Sequence, residues 1–221
     1  MNEQSTIDQR KTGLDDPRAL DILTTEHWGL LSYRTNGYQE ILGRATIFIG
    51  VLSGAVIALA LLAQATQFGR ETLSFAAVLF AVSLFIGLAT FVRCVAINLE
   101  DAHWVLGISL LRRAYLQMVP ELEPFFLASY QFGIEPGKLG YGWTQRLGNL
   151  ANSLTTTSSV VAALNSVLTG SLASDLCALA GLALTPTLAV GAGVSLVAAV
   201  FHVVYAARFR RRHGPATGPP A

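Results

Sequence analysis

Two short stretches carry the side chains best suited to chemistry, Glu26-His27-Trp28 and Asp101-Ala102-His103-Trp104. Imidazole nitrogens and carboxylate oxygens are ordinary ligands for zinc and similar ions, so His27, His103, Glu26 and Asp101 could form a metal site if two helices brought them together. Neither stretch has histidines four residues apart or an H-E-x-x-H pattern, so such a site would depend wholly on tertiary geometry. The competing reading makes Trp28 and Trp104 interfacial anchors, with each histidine a polar neighbour on a helix surface. That reading is preferred, and neither a metal nor a cofactor is expected. His202 is the next candidate. It interrupts an apolar run, and ionisable groups within a membrane face a bundle interior or a water path. It could carry or sense a proton, or hydrogen-bond another helix as a neutral imidazole. Asn165, Ser166 and Thr169 could line a hydrated path or join helices through hydrogen bonds. No nucleophile–base arrangement is visible, so no enzyme is expected. The G-K-L-G-Y-G run at Gly137 to Gly142 lacks phosphate-loop spacing, and Glu121 and Glu123 read as solvated loop charges.

The elements that would position these groups are long and apolar. Ala45 to Ala65 is 21 residues without a charge. At about 1.5 Å per residue a helix of that length covers roughly 31 Å, close to the hydrocarbon thickness of a bilayer. Lipid offers no partner for backbone N–H and C=O groups, so the run must satisfy them internally as a helix. Gly43, Ile47, Gly50, Gly54 and Leu61 fall near one face, a flat stripe suited to close helix contact. It is read as packing against another helix of this chain, with an oligomer seam or pore lining as the alternative. A second span runs from Thr72 to Val92, and the short link makes an antiparallel hairpin. Arg93 ends this span and can snorkel to the headgroups. The third, Ser153 to Ser174, is too polar to face lipid all round and belongs inside the bundle. Asp175 and Thr185-Pro186 bound a turn, and the fourth span is about Thr187 to Ala207.

The fold class is therefore all-α, a membrane protein of four transmembrane helices with cytoplasmic amphipathic helix extensions. Residues 1–16 read as a disordered tail and 17–40 as an amphipathic cytoplasmic helix, with Asp16 its N-cap, Pro17 its first residue and a break or bend at Asn36-Gly37. Leu20, Leu23, His27 and Leu30 share its apolar face. Residues 41–97 form the first transmembrane hairpin. Residues 98–152 hold a helix extension, apolar at Trp104, Ile108, Leu111, Tyr115 and Met118, then an aromatic loop rich in Pro and Gly. The extension is expected to dock on the N-terminal helix. Residues 153–207 form the second hairpin, and 208–221 a basic, disordered tail. No acidic residue lies deep in any span.

Charged residues are 13% of the chain and hydrophobic ones 52%, with a mean hydropathy of +0.49, the balance of a membrane protein. No cleavable signal is apparent. Arg70 alone among the basic residues falls in a proposed external loop, which places both termini in the cytoplasm. Cys94 and Cys177 then lie on opposite sides and cannot pair. All basic residues but Lys11 and Lys138 are Arg, and Ala and Gly are abundant. This usage suggests a GC-rich bacterial genome and hence the inner membrane. Arg208, Arg210, Arg211 and Arg212 set topology and could bind anionic lipid headgroups. Nucleic acid is not an expected partner.

Leu23 to Arg34 (LTTEHWGLLSYR), Arg44 to Gln64 and Ala89 to Leu116 resemble a group of bacterial four-span integral membrane proteins of unknown function. The likeness covers about the first 125 residues and implies no activity. The layout also resembles that of Orai-type calcium channels, whose acidic pore entrance the first span lacks. The expected function is a homo-oligomeric small channel, pore or permeation-linked protein. The alternative is a non-transporting sensor or interaction protein whose cytoplasmic helices bind a protein partner.

Overall fold

The structure is a computed structural model that describes residues 13–67, 69–126 and 156–214. Four long helices account for most of them: α1 (Ala19–Thr66), α2 (Arg70–Met118), α3 (Thr157–Leu179) and α4 (Leu184–His213). All four are long and apolar enough to cross a membrane, which marks the chain as a multi-pass membrane protein. A short 3-10 turn, Pro120–Phe125, follows α2.

The helix boundaries follow from local chemistry. The Asp16 carboxylate accepts from the Arg18 backbone N–H at 2.8 Å, capping α1 within a residue or two of the expected start. Residues 13–16 form a turn, with Asp16 N–H donating to the Gly13 carbonyl at 3.2 Å; the expected disordered tail otherwise lies outside the described residues. Asn36-Gly37 does not break α1. An interior glycine costs a helix only about 1 kcal/mol, which the long flanking helix overrides. α2 continues through Arg93 to Met118 and stops before Pro120, as its lack of breakers implies.

The second hairpin has different ends from those expected. α3 runs on to Leu179, so Asp175 lies within it rather than in a turn. The stop is Gly181, at φ +84°, with Leu182 N–H bonded to the Cys177 carbonyl at 3.1 Å. A left-handed glycine with this six-residue bond closes a helix C-terminus. Pro186 falls in the first turn of α4, where a missing N–H is harmless. At its far end α4 reaches His213, so residues 208–213 are helix rather than tail. Tyr205 and Phe209 stack there at 6.0 Å and pack on the core, holding that end in place. Basic residues also suit the last turn of a helix.

The chain divides into two compact units. Among the described residues, one contains 13–36, with the start of α1, and 101–126. Here α1 docks on α2, as expected: a Cβ on Gly107 would lie 2.9 Å from Leu30 Cδ1, and His27 stacks on Tyr115 at 5.8 Å. Ile108, Leu111 and Leu116 are buried, whereas Leu20 (53% exposed) points away from the expected face.

The other unit contains residues 37–100 and the second hairpin. In α1 the inward residues are Ile41, Ala45, Phe48, Leu52 and Ala55, recurring at alternating steps of four and three. α2 contributes Ala76, Ser83, Gly87, Phe91 and Cys94. α3 has the largest buried share of any apolar window, 33%, in keeping with an interior helix. It lies against α4 through two glycines. A Cβ on Gly170 would collide with the Gly191 carbonyl and the Ser195 hydroxyl, and one on Gly191 with Ser174 and the Gly170 carbonyl. Gly170→Ala should therefore lower stability by about 1–3 kcal/mol, the usual cost of overpacking. Gly193→Ala, where nothing lies within 4 Å, should lower it by less than about 0.5 kcal/mol. Thermal unfolding in detergent, followed by tryptophan fluorescence, distinguishes the two.

Candidate functional site

Polar side chains collect inside the second unit, where helices α1 to α4 close on one another. Asn165 is fully buried. Its amide fills the notch at Gly87 of α2, and a Cβ at Gly87 would overlap both that amide and the Phe48 ring. Neither its Nδ2 nor its Oδ1 has a hydrogen-bond partner. One position on, Ser166 faces α4 instead. Its hydroxyl donates to the Ala162 carbonyl at 2.7 Å and lies 3.4 Å from His202 Nδ1. Thr169, expected beside Asn165, is half-buried and donates to the Asn165 carbonyl at 2.7 Å. Its hydroxyl is spent within its own helix and joins no other side chain among the described residues.

His202 is buried in the middle of α4, well inside the helix. Nδ1 lies 2.7 Å from the Ala198 carbonyl, which can only accept, so Nδ1 carries the proton and donates. Nε2 is buried and without a partner. The Phe91 ring meets the imidazole edge-on at 4.6 Å. Further along, Asp175 Oδ2 and Thr187 Oγ1 are also buried and unpartnered. Asp175, expected to bound a turn, lies instead near the C-terminal end of α3 and is buried. Its signal was present in the spacing: Val161, Asn165, Leu168 and Asp175 follow one helical stripe, and all four are buried.

The candidate metal ligands His27, His103, Glu26 and Asp101 do not group into a site among the described residues. Asp101 accepts from Arg34 Nε at 2.7 Å, and His27 is stacked on Tyr115. Burial, then the nearby Arg112 charge, pushes the His27 imidazole below its usual pKa and favours its neutral form. Among the described residues no three His, Cys, Asp or Glu side chains group as a metal site would require. Cys94 and Cys177 are free thiols.

Gly43, Gly50 and Gly54 face open space, since a Cβ on any of them would meet nothing within 4 Å. Ile47 and Leu61 beside them are 63% and 64% exposed. Packing against another helix of the same chain, the reading preferred from sequence, is thus not found among the described residues. The reason is angular. The stripe is displaced by two residues from the inward series Ile41, Ala45, Phe48 and Leu52, and two residues turn a helix by about 200°. Arg208, Arg210, Arg211 and Arg212 are exposed on the last turns of α4.

Arg93 does not stand free as a headgroup anchor. Its Nε and a terminal nitrogen donate to the two oxygens of Glu40 at 2.8 and 2.9 Å, and its other terminal nitrogen reaches Glu100 at 3.1 Å. Arg44 Nε donates to Glu40 at 2.9 Å. This network ties α1 to α2 just beyond the apolar run of α1. The Arg93 and Arg44 guanidiniums lower the Glu40 carboxyl from 4.5 to about 2. A folded-state pKa below the unfolded value adds stability that is full above the unfolded pKa and lost as pH falls through the folded one. The loss therefore falls between pH 4.5 and about 2. Glu40→Gln should lower stability near neutral pH by about 1 kcal/mol, the scale of a half-solvated bidentate pair. It should also flatten the acid limb of the thermal midpoint against pH; an unchanged acid limb would exclude Glu40 as its source.

No protein-family model, curated protein or solved structure matches the chain.

Proposed function

We propose that this chain is a homo-oligomeric protein of the bacterial inner membrane, with both termini cytoplasmic, that acts as a small channel, pore or permeation-linked protein. One observation carries the reading. Every buried side-chain polar atom without a partner, among the described residues, belongs to α3 or α4: Asn165, Asp175, Thr187 and His202. A polar group left dry in a bundle costs free energy, and water or a small ion restores its hydrogen bonds. Intramembrane polar groups of this kind mark permeation routes. The open glycine face of α1 suits a second copy of the chain, because Gly43, Gly50 and Gly54 let another backbone approach closely. The four exposed arginines of α4 sit where anionic headgroups of the cytoplasmic leaflet would meet them.

A second reading rests on a different surface. Ile22, Trp28 and Tyr33 on the first part of α1 are 64%, 66% and 62% exposed. In a non-transporting sensor these side chains would receive a cytoplasmic protein partner.

Reconstitution in liposomes separates the two. The permeation reading expects flux of protons or small cations above that of protein-free vesicles, reduced at least about tenfold by Asn165→Leu, which strips the polar lining. Native mass spectrometry in nanodiscs should give a ring of roughly four to six copies, broken down by Gly50→Leu. Vesicles as tight as empty ones would end the permeation reading. A monomer unaffected by Gly50→Leu would end the oligomeric one.

A further inference from the structure

One end of the α3–α4 hairpin buries a carboxyl group that has no counter-charge. Asp175 is 7% exposed, and its Oδ2 has no hydrogen-bond partner. Thr187 of α4 is 5% exposed, and its Oγ1 is equally unpartnered. Ser174 Oγ donates to the Thr187 carbonyl at 3.2 Å, so the two helices touch at this level. Asp175 is the chain neighbour of Ser174, so two buried polar side chains from different helices lie at the level of this contact, each with an atom unused.

No charge balances the carboxyl. Among the described residues Asp175 enters no ion pair, and no charged or titratable group acts on it. α3 has no other charged residue, α4 has none before Arg208, and α1 has none from Ala45 to Ala65. Arg70 and Glu71 open α2, and both are exposed. A carboxylate in such surroundings pays a large desolvation cost without an offsetting cation. The acid form avoids it, because a neutral carboxyl carries no charge to desolvate.

We propose that Asp175 is a proton-binding site, and that the proton is what passes along the polar interior of α3 and α4. The second half rests on the permeation reading above. The chemistry is a single reversible step. The carboxylate takes a proton from hydronium: one O–H bond breaks there, one forms on Asp175 and a water molecule is released, and the reverse step returns the proton to water. Asn165 and His202 hold further unpartnered polar atoms in the same unit.

The test uses the full chain in lipid nanodiscs and liposomes. Infrared difference spectra across a pH titration should show a carboxylic acid C=O band that is absent in Asp175→Asn. Asp175→Glu should restore the band at a shifted frequency. Asp175→Glu keeps a carboxyl in place and the shift of its band reads the same site, so the site stays testable if Asp175→Asn does not fold. Identical carboxyl spectra for the wild type and Asp175→Asn, or for the wild type and Asp175→Glu, would overturn the site. In liposomes, proton flux should fall at least about tenfold in Asp175→Asn and recover in part in Asp175→Glu. Flux unchanged in Asp175→Asn would overturn its place on the path while leaving permeation intact. A wild type without flux would end the permeation reading, and the infrared band would then decide the binding site by itself.

Discussion

The close approach of α3 and α4 at Gly170 and Gly191 is the contact on which the interior of the second unit depends. Each glycine lies where a Cβ would strike the other's carbonyl oxygen. Lipid tails are as apolar as leucine side chains, so burial alone gives membrane helices little reason to associate. Backbone proximity and hydrogen bonds take its place. With the helices this close, Ser174 reaches the Thr187 carbonyl and Ser166 comes within 3.4 Å of His202. The same proximity buries the side chains that find no partner.

Those side chains fix the character of the bundle. Gly87 leaves the notch that Asn165 fills, and Phe48 and Phe91 close the core around it. A leucine at Asn165 would fill similar volume without stranding a donor and an acceptor. The chain instead carries an amide, a carboxyl, a hydroxyl and an imidazole with unused atoms in adjoining helices. Natural membrane proteins reserve such groups for function, because their cost in stability is otherwise uncompensated.

Charges outside the core act by pairing. Glu40 is held by Arg44 and Arg93, and Arg93 also reaches Glu100. Asp101 pairs with Arg34 in the other unit. The division between the units falls after Asn36 in α1 and after Glu100 in α2. Asn36-Gly37 is thus a boundary of packing while the backbone helix continues through it.

Much of this organisation follows from the sequence by itself. Apolar runs of spanning length in a charge-poor chain dictate four helices, because only internal hydrogen bonding satisfies a backbone in lipid. The distance from Arg93 to Pro120 without a breaker dictates a long second helix, and the polar residues of α3 place it inside. What needed tertiary structure was which face each helix turns inward. A glycine stripe reads alike whether it meets a neighbour or open space, and only the neighbouring helices show that α1 packs through Ile41, Ala45 and Phe48 instead. The ends of the second hairpin were equally ambiguous, because Thr185-Pro186 suits a turn as well as the first turn of a helix. The left-handed Gly181 decided it, and that decision carried Asp175 from a solvated turn into the bundle. Pairing is likewise non-local: Arg93 meets Glu40 across 53 residues of chain, a partnership that spacing along one helix cannot reveal.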